Sequence, residues 1–147
     1  MVAAEALQRS SVVKAVESGQ IVISILERPG TMLLAHWHDA GIVIVIDAVC
    51  SGALPGTCFR FDAGKWAVSG LPASSHGFGV AAALELAHAL GDLPSRHLVR
   101  GVEIEPSCSG FGLSRAVARV LPAFVREIEA ETPQLAKTGL PGMSRAS

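Results

Sequence analysis

The chain has 147 residues, half of them apolar, no tyrosine and a formal net charge of −1, with a mean hydropathy of +0.44. That is enough chain for one aliphatic core, and it is too apolar for disorder over most of its length. A near-neutral charge without a basic stripe argues against a nucleic-acid partner, and apolar runs interrupted by Asp47, Glu85 and His88 argue against membrane insertion.

Residues 2–18 read as a helix, with Gly19 as its stop. No basic stretch precedes Glu5, so a signal peptide is not expected. The β-rich segment 21–26 reads as a strand, and ERPG then turns the chain. Thr31 can cap a short helix over 31–38 that sends Leu33, Leu34 and Trp37 toward a sheet. Five apolar β-formers at 42–46 then predict a strand over 41–48, buried on both faces. Residues 51–56 read as loop, 57–61 as a short edge strand and 62–75 as irregular. Periodicity predicts a helix over 77–90, ended by Gly91, and a strand over 97–104. After a glycine-rich loop, Ser114 can cap a last helix carrying Val117, Val120, Leu121, Phe124, Val125 and Ile128 on one side. Pro122 predicts a kink or a joint in it. Residues 133–147 show no periodicity and read as a disordered tail to a single domain over 1–132. Alternating strands and helices give an α/β class: a three-layer sandwich with a mainly parallel twisted sheet flanked by helices.

The stretch GIVIVIDAVCSG, residues 41–52, organises the chain. Asp47 falls at the carboxyl end of its strand, the edge where open α/β sheets bind ligands. His76 lies in SSHGFG, just before the next helix. Each has an ordinary reading: Asp47 as a surface acid or turn cap, and the serines beside His76 as a helix cap. Together they form a candidate pair, because carboxylate and imidazole are common partners around a transition metal. Glu103 and Glu105 share a strand face near the same rim and read as solvated or loop-capping acids. Nothing is assigned to His36 or His38. Cys50 reads as a buried thiol without a visible base. Cys50, Cys58 and Cys108 form no CxxC pair and fit free thiols in a cytoplasmic protein. Adjacent Ser75 and His76 are poor grounds for a catalytic pair. Gly77 and Gly79 are too close for a dinucleotide fingerprint.

Taken together, VIDAVCSGALPGTCFRFDA, SSHGFGVAAALELAHALGDLP, GVEIEP and GLSRAVARVLP resemble the hydrogenase maturation endopeptidases. The likeness runs in order from Met1 to about Glu131. It implies a twisted five-stranded sheet between helices and an aspartic-type peptidase. The expected partner is the precursor of the nickel–iron hydrogenase large subunit, and the expected activity is removal of its C-terminal extension. Nickel already inserted in that precursor is the family's recognition signal. The resemblance implies that Asp47 and His76 are the catalytic and metal-contacting positions, with Glu27 a looser match.

The family's opening strand and acidic loop, GN-x4-D-(D/E)-G, have no counterpart before residue 2. The expectation is either a start assigned too far downstream or a truncated paralogue. In the family that opening strand is central. Its loss leaves three expected outcomes: 21–26 closes against 41–48, another chain fills the slot, or the protein is marginal. With two well-matched ligands, weak binding of free nickel is expected. Two other functions stay open at this stage: a maturation factor that binds the precursor without cutting it, and a small α/β ligand-binding module anchored by Asp47.

Overall fold

The computed structural model describes residues 19–26, 32–37, 40–62, 80–94, 96–105 and 112–138. The expected helix over 2–18 lies outside them. The described elements are helix α1, Met32–Trp37; strand β1, Ile42–Val49; strand β2, Cys58–Asp62; helix α2, Val80–Leu90; strand β3, Arg96–Glu103; and helix α3, Arg115–Thr138.

The described sheet has three strands in the order β1-β3-β2. β1 runs parallel to β3, in register from Ile42 opposite Arg96 to Val49 opposite Glu103. β2 runs antiparallel on the far side, from Cys58 opposite Val102 to Asp62 opposite Leu98. β2 is therefore the edge piece its short alternation predicts. β3 is the middle strand and is buried along most of its length, with Arg100 and Glu103 buried beside Leu98, Val99 and Val102.

Helices cover both faces of this sheet. On one face, Val45 and Val99 pack with Leu33 and Trp37 of α1 and with Val80, Ala83, Leu84 and Ala87 of α2. On the other, Val102 packs with Val117, Phe124, Val125 and Ile128 of α3, and Ile46 joins them. Because strand neighbours alternate faces, Val45 and Ile46 go to different cores. The α/β layering follows from that alternation. Burying each such side chain contributes about 1.5–3 kcal/mol.

The ends of the helices follow local chemistry. Gly91 takes φ of 69° after α2. Its N–H donates to the His88 carbonyl at 3.1 Å, and the Asp92 N–H donates to that of Ala87 at 2.9 Å. This pairing satisfies carbonyls that the helix leaves open. At the start of α3, the Ser114 hydroxyl accepts from the Val117 N–H at 3.3 Å, as expected of an N-cap.

Some expectations are corrected. Residues 21–26 form no ladder with the described sheet, and β1 pairs with β3 alone among the described strands. The segment does not close against β1. Instead Ile23 packs on the α3 cluster and Leu26 on the α1–α2 cluster. β-propensity expresses fit to a pleated surface, and without a partner strand it does not make one. Pro122 does not divide α3, which continues from Arg115 to Thr138. Pro122 and Ala118 are both exposed, so the Ala118 carbonyl that Pro122 cannot serve faces water. The same helix carries 133–138, where the sequence suggested a tail; residues 139–147 lie outside the described ones. α2 is described from Val80; residues 77–79, where the periodicity places its start, lie outside the described ones.

Candidate functional site

β1 continues two positions beyond Asp47, to Val49. Asp47 is thus a strand residue at the carboxyl edge, half-buried and opposite Gly101 of β3. Its Oδ1 accepts the Ala48 N–H at 2.9 Å. The ladder to β3 fixes the backbone beneath it. Gly101 faces Asp47 with no side chain of its own. A Cβ built there would lie 2.6 Å from Val49 Cγ2 and 3.5 Å from Phe59 Cβ. Glycine is thus required here by close packing, and the strand beside Asp47 has no room for a larger residue.

The chain after β1 cannot turn directly into β2, because β3 stands between them. Residues 50–57 must cross over the carboxyl end of β3. Main-chain bonds anchor the crossing. The Gly56 N–H donates to the Glu103 carbonyl at 2.9 Å, the Glu103 N–H to that of Thr57 at 2.8 Å, and the Ile104 N–H to that of Val49 at 2.9 Å. Gly56 has φ of 86°, and an added Cβ would meet the Ala116 carbonyl oxygen at 3.0 Å. That position therefore needs glycine on both counts.

The Glu103 side chain completes the anchorage. It is 1% exposed. Its Oε1 accepts the N–H of Ser51 at 2.8 Å and that of Gly52 at 2.9 Å. Its Oε2 accepts the Ser51 hydroxyl at 2.7 Å. Burial pushes the Glu103 carboxyl up. The Ser51 hydroxyl and the backbone N–H groups of Gly52, Ser51 and Ala53 outweigh it and hold the carboxyl below its ordinary value. Glu103 is therefore a loop-capping acid, and a buried one. Its burial was not legible in sequence; the nearest signal was its place at a strand end opposite a Ser-Gly turn.

His76, Glu27, His38 and Cys108 lie outside the described residues, so the structure describes one member of the candidate pair. Of the other residues considered, His36 is exposed on α1 and Glu105 is half-buried just past β3. Cys50 is half-buried and Cys58 exposed, both as free thiols. Partial burial, and then the negative charge of Glu127, push the Cys58 thiol up, which disfavours a reactive thiolate. Among the described residues no three His, Cys, Asp or Glu side chains gather as metal ligands. Nor is any described helix long and apolar enough to cross a membrane.

A small, mainly helix-flanked sheet with an aspartate near the carboxyl edge of its parallel strand β1 defines a layered α/β protein. The family model described as hydrogenase maturation protease matches residues 28–131, and the chain belongs to that family. Two solved structures share the fold. One is the hydrogenase maturating endopeptidase HybD from E. coli, at 22% identity over 71% of this chain and 66% of that chain, with a TM-score of 0.58. The other is the NiFe hydrogenase maturation protease HybD from Thermococcus kodakarensis, at 24% identity over 88% of this chain and 87% of that chain, with a TM-score of 0.55. The chain spans just under two thirds of the E. coli protein's length. No curated protein matches it.

Proposed function

We propose that this protein is an aspartic-type endopeptidase that removes the C-terminal extension of the nickel–iron hydrogenase large-subunit precursor. It recognises the nickel already inserted in that substrate. The observation that carries the reading is the family match over 28–131, with Asp47 held on the ladder at the carboxyl edge of β1. In this reading Asp47 and His76 contact the substrate's nickel, and Glu27 is the next candidate. A carboxylate and an imidazole suit a borderline metal such as nickel.

Asp47 orients or deprotonates the attacking water beside the scissile bond. The nickel brought in by the precursor supplies Lewis-acid character there. Free thiols fit the reducing cytoplasm, where the precursor is matured in this reading.

The test is a cleavage assay on the purified large-subunit precursor, with the C-terminal extension followed by mass spectrometry. The nickel-loaded precursor should be trimmed and the metal-free one left intact. Asp47→Asn and His76→Ala should each abolish trimming while leaving the melting temperature within a few degrees. Full processing by both variants would overturn the assignment.

A further inference from the structure

We propose that Glu103 is a positioning residue for this protease: it holds loop 50–57 as a pre-formed wall against which the precursor chain docks. The proposal rests on the functional reading above. The loop leaves β1 only three residues after Asp47, at the same edge of the sheet. Its Ser51 and Gly52 are exposed, yet both their N–H groups and the Ser51 hydroxyl end on one buried carboxylate. The next turn is closed by Thr57, whose N–H and hydroxyl both donate to the Leu54 carbonyl, at 3.0 and 2.6 Å. Between these fixed points Leu54 is 82% exposed. Leu54 thus stands on a loop pinned at both ends, at the sheet edge that carries Asp47, where in this reading the precursor chain approaches.

The geometry separates two effects. Asp47 is held by the β1–β3 ladder, which does not depend on the Glu103 carboxylate. Losing the carboxylate frees the Ser51–Gly52 end of the loop and leaves the acid and the main-chain bonds at Gly56 and Thr57 in place. The cost then falls on substrate binding, because the loop must be ordered on docking.

The experiment compares the full-length wild-type protein, Glu103→Gln and Ser51→Ala on the nickel-loaded precursor. KM should rise about tenfold in Glu103→Gln, with kcat within about twofold of wild type. Ser51 is exposed, so Ser51→Ala should fold normally; it should raise KM by a smaller factor. Hydrogen exchange should show lost protection at the Ser51 and Gly52 amides, with that at Val45 and Val99 retained. A role in stability alone would remove active molecules, lowering apparent kcat at unchanged KM. That result, or retained protection at both loop amides, would overturn the proposal. Failure of the wild-type protein to cleave would instead overturn the protease reading. Precursor affinity measured by calorimetry on the same variants then decides the loop's role: unchanged affinity in both rejects it, and weakened affinity upholds it.

Discussion

Arg100, buried in the middle of β3, pairs with Glu131 on α3. The same carboxylate takes Arg60 of β2 at 2.6 Å, and Arg60 is the register partner of Arg100. One glutamate thus bridges two guanidiniums that stand side by side on the sheet, offsetting one of their two charges, and it ties α3 across both strands. Removing it leaves Arg100 buried and unpaired beside a like charge. Glu131→Gln should destabilise the fold by roughly 3 kcal/mol. Arg60 is 69% exposed in its side chain, so Arg60→Ala should cost under about 1 kcal/mol. Urea unfolding of both variants checks the difference; equal losses would refute it.

Gly101→Ala should be costly out of proportion to its size. The new methyl group would sit 2.6 Å from Val49 Cγ2, an overpacking that costs about 1–3 kcal/mol. Val49→Ala in the same chain removes the clashing group and should return part of that loss. A double variant less stable than the sum of the two singles would contradict the contact.

Acid should weaken the loop anchorage. The Glu103 carboxyl is held low in the folded protein, so the unfolded chain takes up the proton first as pH falls. Its contribution is complete above the unfolded value of about 4.3 and is lost as pH falls through the lower, folded value. The stability gap between wild type and Glu103→Gln should therefore narrow from pH 7 to pH 3. Urea titrations at the two pH values measure it. A constant gap would show that the carboxylate is not what stabilises the loop.

Neither described thiol is required for the proposed chemistry. Cys58→Ser and Cys50→Ser should process precursor at rates close to wild type. Alkylation of the exposed Cys58 should be slow at neutral pH, since its thiol is pushed up. Complete loss of processing in a folded Cys50→Ser would make the thiol the nucleophile in place of the water that Asp47 activates.

The layers were legible because hydrophobic patterning reports burial directly. The strand at 42–46, the period of α3 and the caps at Ser114 and Gly91 all appear in the structure as local chemistry predicts, although of 42–46 only Val45 is fully buried and the rest are half-buried. Segment 21–26 misled because a strand is defined by its partner, which single-chain propensity does not contain. Pro122 makes no joint, because on the exposed side of a continuous helix a missing donor is tolerated. Asp47 could be located from the end of an apolar run. Glu103 looked like any acid at a rim, since its burial depends on a loop 52 positions away in sequence. The same holds for Arg100, whose partner lies 31 positions on.

The strand order carries a consequence for biosynthesis. Among the described strands, β1 and β2 each hydrogen-bond only to β3, which comes later in the chain than either. At about 5–20 residues per second, roughly 3–10 s separate the emergence of residue 51 from that of residue 103. Throughout that interval the segment carrying Asp47 is a nascent apolar strand without its mate, and the crossing loop has nothing to cross. A ribosome-bound chain arrested before residue 96 should therefore expose 42–49 to chaperones. Release of those chaperones should coincide with the appearance of β3.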